Sequence, residues 1–392
     1  MEILEKKVVS KLRFKDENGN DYPDWEDKKL GEIANFLDGR RKPIKSSDRS
    51  KRRGKYPYYG ASGIIDYVND YIFDEDLILL GEDGENIVSR NLPLAFRVSS
   101  KCWVNNHAHV IVPKKGVEIN FLTYSLEKID YAKYNTGTAQ PKLNQAVCRE
   151  IPLNLPSLPE QQKIADFLTS VDDKIEHLTK KKELLTTYKK GMMQKLFSQE
   201  LRFKDENGNE YPEWRNRRLD EFSQINPKTK KLPSSFFYID LESVVKGRLI
   251  KKERINIDEA PSRAQRLLNR GDIIFQMVRP YQSNNFFFNL EGDYVASTGY
   301  AQIKSNENQM FIFQLFHSYK FLKKVILRCT GTSYPAINSS DLKSISLALP
   351  FLPEQQKIAD FLTEIDNKIG LVTTQKENTK QFKKGLLQQM FV

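Results

Sequence analysis

Leu158-Pro-Glu-Gln-Gln-Lys-Ile-Ala-Asp-Phe-Leu-Thr169 returns, letter for letter, as Leu352-Pro-Glu-Gln-Gln-Lys-Ile-Ala-Asp-Phe-Leu-Thr363. Each copy opens from a joint with two prolines, Leu155-Pro-Ser-Leu-Pro159 or Leu349-Pro-Phe-Leu-Pro353. Proline suits the first turn of a helix, where its missing N–H would have no partner anyway. Glu160 and Glu354 follow at once, where a negative charge meets the positive end of the helix dipole. Both stretches therefore predict the entry of a long helix. Downstream, seam positions recur in alternating steps of four and three. In the first copy they are Ile164, Leu168, Val171, Ile175, Leu178, Lys182, Leu185, Lys189, Met192 and Leu196. In the second they are Ile358, Leu362, Ile365, Ile369, Val372, Lys376, Thr379, Lys383, Leu386 and Met390.

A seam of that spacing needs a partner helix. The two seams match in length, so the economical solution pairs the helices with each other. Lysine at two seam positions of each helix weakens the pairing there, unless the aliphatic stems snorkel outward. If an approximate two-fold axis relates the halves and crosses the helix pair at right angles, the helices run antiparallel. A recognition body is then expected at each end. The helix from Ile164 to Leu196 would span about 50 Å at 1.5 Å per residue. One turn of B-DNA is roughly 34–36 Å. Two bodies on such a spacer suit two separated segments of one duplex.

Other shared blocks flank these helices. Leu12-Arg-Phe-Lys-Asp-Glu-Asn-Gly-Asn20 returns as Leu201-Arg-Phe-Lys-Asp-Glu-Asn-Gly-Asn209, and Tyr22-Pro-Asp-Trp25 returns as Tyr211-Pro-Glu-Trp214. Gly137-Thr-Ala-Gln-Pro-Lys-Leu-Asn144 corresponds to Gly331-Thr-Ser-Tyr-Pro-Ala-Ile-Asn338. Gly and Pro fix a tight turn there, and Asn144 and Asn338 are natural caps for a short helix. After Gly-Thr the side chains differ: Ala139-Gln140 against Ser333-Tyr334. A fixed turn with changed side chains suits presentation to a ligand. A repeat of this length is far too long for a solenoid unit of roughly 20–50 residues. The expected organisation is a leader (1–25), a body (26–154), a helix (155–200), a second leader (201–214), a second body (215–348) and a second helix (349–392).

Between the shared blocks the two bodies barely resemble each other. Both mix signals. Asp76-Leu-Ile-Leu-Leu80, Cys102-Trp-Val104 with His109-Val-Ile-Val112, and Gly271-Asp-Ile-Ile-Phe-Gln-Met-Val278 are rich in strand formers, whereas 121–134 and 310–329 read as helices. The expected class is α+β.

The chain has 392 residues, 39% hydrophobic, with a net charge of +11. That suits a folded protein of two or more domains with a polyanionic partner. Three scattered cysteines argue against a disulfide framework and for a reducing compartment. No run approaches the ~18 apolar residues of a membrane span. The expected location is the cytoplasm.

No phosphate-binding Gly-x-x-x-x-Gly-Lys-Ser/Thr loop occurs, and neither Asn-Pro-Pro-Phe nor Asp-Pro-Pro-Tyr, the marks of an amino-methyltransferase centre. Glu26-Asp-Lys28 resembles part of a nuclease site, but the second copy reads Arg215-Asn-Arg217. Cys102, His107 and His109 lack a second pair to complete a zinc site, and read as strand residues. No catalytic or metal-binding residue is expected.

The basic residues are more telling. Between Arg40 and Lys55 lie nine of them against one acid, Asp48. Arg40, Arg41, Lys42, Lys45, Arg49, Lys51, Arg52 and Arg53, with Tyr58 and the turn's Gln140, are the candidate DNA contacts of the first body. In the second they are Lys228, Lys230, Lys231, Arg248, Lys251, Arg279, Tyr281 and Tyr334. Such sets neutralise phosphates and bring Arg, Tyr and Gln to base edges.

With two copies of the helix entry in register with two copies of the Gly-Thr-x-x-Pro-x-Leu/Ile-Asn turn, the chain resembles a type I restriction–modification specificity subunit over essentially its whole length. The resemblance implies two target recognition domains and two helices forming an antiparallel coiled coil, with a pseudo-two-fold internal repeat. Each recognition domain would read one half of a split, asymmetric DNA sequence. The coiled coil would set the unread spacer and dock modification subunits, two being expected. Those would carry S-adenosylmethionine and the adenine-methylating site, and restriction subunits would bring ATP and Mg; this chain would hold no cofactor. Two leaders and an end just after the second helix suggest a full-length member. The alternatives are a coiled-coil adaptor that binds no DNA and a dimeric DNA-binding regulator.

Overall fold

The computed structural model describes residues 12–391. Positions 1–11 of the expected leader, and Val392, lie outside the described residues. The chain forms two compact units, Met1–Thr179 together with Thr374–Val392, and Lys180–Thr373.

In the first unit the body begins and ends on one ribbon: Glu26–Lys29 pairs antiparallel with Pro152–Leu155. The central sheet has the order Ala34–Phe36, Ala108–Pro113, Leu77–Gly81, Ala95–Val98, all antiparallel. Leu77–Gly81 is buried along its whole length, which is why it reads as an unbroken apolar run. A smaller sheet has the order Gly63–Val68, Arg53–Gly60, Trp103–Val104, and its last pair is parallel.

The second unit repeats this plan with different residues. Arg215–Arg218 pairs with Ser346–Leu349. The central sheet runs Ser223–Ile225, Tyr300–Ser305, Ile273–Gln276, Phe286–Phe287. A side sheet again contains a parallel pair, Ser235–Ile239 with Tyr294–Ser297, and the second of these strands again precedes the central strand Tyr300–Ser305. The bodies that diverge in sequence therefore share the order of the central sheet and the parallel pair, while the second adds a fourth strand to its side sheet and a separate hairpin.

Both expected body helices are interrupted, because a side-chain oxygen starts a new turn. Ile119–Lys128 stops before Asp130, whose carboxylate accepts the Ala132 N–H and opens a 3-10 turn, Tyr131–Tyr134. Gln309–Leu315 is separate from Tyr319–Ile326, whose cap Ser318 accepts the Phe321 N–H.

The long helices are Leu158–Ser198 and Leu352–Met390. In the first unit Ile164, Leu168 and Val171 pack with Leu386 and Met390. In the second, Met193, Leu196 and Phe197 share a core with Ile358, Leu362 and Ile365. The early part of each helix thus meets the late part of the other, and the pair is antiparallel. Ile175 and Ile369 pack at the edges of these cores. Val372 is buried, and Leu178 and Leu185 are half-buried. Met193, not Met192, takes the buried place near the end of the first helix. A straight helix has 3.6 residues per turn and drifts about 20° per heptad from a 3.5 repeat. The seam lysines also differ from expectation. Lys189 reaches Asp366 at 2.7 Å and Lys383 reaches Asp172 at 2.6 Å, so each is neutralised across the helix pair.

The repeated leaders explain the repeated helix entries. Glu160 is fully buried and accepts two bonds from Arg13, at 3.0 and 2.8 Å, and one from Trp25 Nε1 at 3.1 Å. Glu354, equally buried, accepts two from Arg202, at 3.1 and 2.8 Å, and one from Trp214 at 3.2 Å. Lys163 and Lys357 donate to the carbonyls of Lys15 and Lys204. The two glutamates, read above as dipole partners, are chiefly the acceptors of a fork-and-indole clamp.

Candidate nucleic-acid interface

The first body's basic stretch runs from a 3-10 turn, Asp38–Arg40, through a short helix, Ser46–Arg49, into the strand Arg53–Gly60. Its arginines are mostly spent on the protein itself. Arg40 pairs with Glu75 at 2.6 Å and lies over the Phe73 ring. Arg41 is half-buried and pairs with Glu82 at 2.6 Å, with a further bond to the Ala108 carbonyl. Arg49 pairs with Asp66 at 3.1 Å and Arg52 lies over Trp103. Tyr58 belongs to the core: it is 1% exposed and its hydroxyl accepts the Ile44 N–H. Its expected place among DNA-facing side chains is therefore corrected. Its ring packs with Ile44, Val68 and Trp103, and the Arg49 guanidinium lies over it. Lys42, Lys45, Lys51 and Arg53 are exposed and have no ion pair among the described residues. Lys55, also exposed, lies against Tyr56.

Beneath the stretch is a buried charge cluster that anchors it. Asp38 accepts from His109 Nδ1 at 2.6 Å, from the Val110 N–H at 2.9 Å and from Gln145 at 2.7 Å. His109 Nε2 donates to the Leu143 carbonyl. Burial, the largest single influence, pushes this imidazole toward its neutral form, but the hydrogen bonds and charges of Asp38 and Cys148 together outweigh it and the pKa is pushed up to about 10. Asp38, Glu82 and His109 come together like a ligand set. Arg41 and Lys142 already reach Glu82, so both carboxylates have cationic partners, and the group ties the start of the basic stretch to the repeated turn.

That turn sits in the same frame in both bodies. In the first, the Leu143 N–H donates to Glu82 O at 2.7 Å and the Gly84 N–H to Pro141 O at 3.0 Å. In the second, the Ile337 N–H donates to Met277 O at 3.0 Å and the Arg279 N–H to Pro335 O at 2.7 Å. Asn144 and Asn338 cap the following helices by accepting the N–H groups of Ala146 and Asp341. The partner loops follow equivalent central strands, Leu77–Gly81 and Ile273–Gln276. Gly84 and Arg279 are thus equivalent, and both have positive φ, 105° and 53°. Gln140 and Tyr334 are equivalent too, and both are exposed.

In the second body Lys228, Lys230 and Lys231 are exposed and unpaired among the described residues. Lys251 instead pairs with Glu253 at 2.8 Å. Arg248 lies on the hairpin Val244–Leu249 and lines a cleft of ≈ 500 Å³ with Lys189, Gln314 and Asp366. It is exposed, has no ion pair among the described residues, and shares the cleft with Gln282 and Ser283. Tyr281 is 52% exposed on a 3-10 turn, Pro280–Gln282. Arg279 lies over the Tyr334 ring, 4.1 Å from its centroid.

No helix among the described residues is long and apolar enough to cross a membrane. The sequence matches the type I restriction modification DNA specificity domain over residues 22–187 and again over 211–381. It is 28% identical over 408 aligned positions to the MjaVIII specificity subunit of Methanocaldococcus jannaschii, covering 95% of this chain and 94% of that one. It is 26% identical to a putative type I restriction enzyme specificity subunit of Haemophilus influenzae, covering 88% and 89%. The fold is similar to that of the S subunit of a type I restriction–modification system from M. genitalium, with a TM-score of 0.67, 14% identity and coverage of 98% and 99%. Two recognition bodies, two paired helices and two matches to one family lead to the same conclusion: the chain belongs to the type I restriction–modification DNA specificity family.

Proposed function

We propose that this chain is the DNA-specificity subunit of a type I restriction–modification complex. Each body reads one half of a bipartite, asymmetric duplex target. The paired helices fix the number of unread base pairs and dock two modification subunits. The chemistry resides in the partners: S-adenosylmethionine in the modification subunits, ATP and Mg in the restriction subunits. This chain contributes recognition and geometry, and no bond-making group.

The observation that carries this reading is one frame built twice with different side chains at the same turn. A scaffold that keeps Pro141 and Pro335 in place while replacing Gly84 with Arg279 and Gln140 with Tyr334 suits two readers with different targets. Phosphate contacts position such a body and base contacts specify its sequence. The test is methylome sequencing of cells that express the chain with its modification partner. Body 26–154 is then exchanged for that of a relative. One half of the target is expected to change and the other to persist. A change in both halves, or loss of methylation from an assembled complex, would defeat modular reading.

A further inference from the structure

Resting on the reading above, we infer that Arg279, laid on Tyr334, is a base-reading residue of the second body and takes a guanine. Four observations converge on it. First, its charge is unspent. Arg40, Arg41 and Arg49 in the first body each meet a carboxylate. Arg279 has no ion pair among the described residues, and its buried Nε has no hydrogen-bond partner.

Second, the guanidinium is held in place before any ligand arrives. It sits 4.1 Å from the centroid of Tyr334, which is 64% exposed. That contact uses the face of the ring and leaves the N–H donors free. Third, the backbone beneath it is strained and fixed. Arg279 and Ser283 both have a φ of 53° and bracket the turn Pro280–Gln282. Non-glycine residues in this region are uncommon and persist where the surroundings impose them. Here buried Gln276 bonds to Gln282 and to the Asn284 N–H, while the Asn285 side chain accepts the Gln276 N–H. Fourth, the equivalent position in the first body is Gly84, so the frame itself has no need of a side chain there.

A planar fork on a fixed stem matches two acceptors on one base edge. In the major groove that pair is guanine O6 and N7. A lysine is a point charge and does not reproduce the match.

The test uses the full complex with its modification partner. Arg279→Gly is the main variant, because glycine suits the backbone angle and stands at the equivalent place in the first body. Arg279→Lys and Tyr334→Ala accompany it. Each is measured on a panel of duplexes with single-base changes across a salt series, alongside methylome sequencing. The expected result is a loss of about 5- to 150-fold in discrimination at one guanine of one half-site. The other half-site should be unchanged, and Arg279→Lys should not restore the preference. Uniform weakening on every duplex with a salt slope lower by about one would make Arg279 a phosphate contact and overturn the inference. So would unchanged discrimination in Arg279→Gly when the wild type is specific. A wild-type complex without any sequence preference would instead sink the DNA-specificity reading itself.

Discussion

Both bodies pair several arginines with carboxylates, Arg217 with Glu307 and Arg270 with Glu291 in the second, but they differ at the repeated turn. In the first, arginine is locked inward: Arg41 is held by Glu82 and Asp38, and Arg49 by Asp66. The exposed cations left over there are mostly lysines. In the second, lysine also lines the surface, but Arg279 is left without a carboxylate partner on the loop facing the repeated turn. The same contrast appears where each body meets the long helices. Tyr124 donates to Asp172 at 2.7 Å and lies 3.4 Å from Thr169 Oγ1. Its counterpart Gln314 donates to Asp366 at 2.8 Å, but leaves its own Oε1 and Thr363 Oγ1 without partners. A shorter side chain in one copy accounts for both orphaned atoms and for part of the cleft beside them. The frame is duplicated; the side chains it carries have diverged both at the repeated turn and at the long helices.

If the frames are energetically equivalent, removing the clamp should cost the same in each. Glu160→Ala and Glu354→Ala should each destabilise their unit by about 2–3 kcal/mol, because a half-buried arginine fork and an indole N–H lose their shared acceptor. Denaturant unfolding followed in each unit measures it. A difference of more than about 2 kcal/mol between the two would break the equivalence.

A smaller effect should divide the basic stretch. Arg41→Ala is expected to lower stability by about 1–3 kcal/mol, since Glu82 loses a charged partner, and to leave the salt dependence of duplex binding unchanged. Lys45→Ala should do the reverse, keeping stability and reducing the slope of log K against log salt by roughly 0.9. Should Arg41→Ala also reduce the slope, the arginine must leave its carboxylates when DNA binds.

The smallest expected change sharpens the comparison at the helices. Gln314→Tyr should let a phenol occupy the place that Tyr124 takes in the first unit and approach Thr363. A gain of up to about 1 kcal/mol is expected in thermal or denaturant unfolding. Destabilisation would mean that Met310, Phe313 and His317, which line the cleft, leave no room for the ring.

Much of this protein is written in short-range pattern. The repeated helix entries, the seam from Ile164 to Leu196 and its counterpart from Ile358 to Met390, the buried strand at Leu77–Gly81 and the caps Asn144 and Asn338 follow from residue type and spacing alone. Those features depend on backbone periodicity and local hydrogen bonding, which reach only a few residues along the chain. The same holds for the reading that two similar frames carry two different recognition surfaces. A signal for the clamp was also present, since Arg13, Trp25 and Glu160 all recur in the second copy, but repetition does not say who touches whom.

Which charges are free was decided by the tertiary structure. Arg41 meets Glu82, Arg49 meets Asp66, and Lys189 meets Asp366, pairs separated in sequence by 41, 17 and 177 residues. Tyr58 looked like a surface aromatic within a basic run, and the register of its strand turned it into the core. Electrostatic pairing acts through space over a few ångströms, so it depends on which strands and loops the topology makes neighbours. The sequence set how many cations the chain carries and where its helices begin; the fold determined which cations remain for DNA.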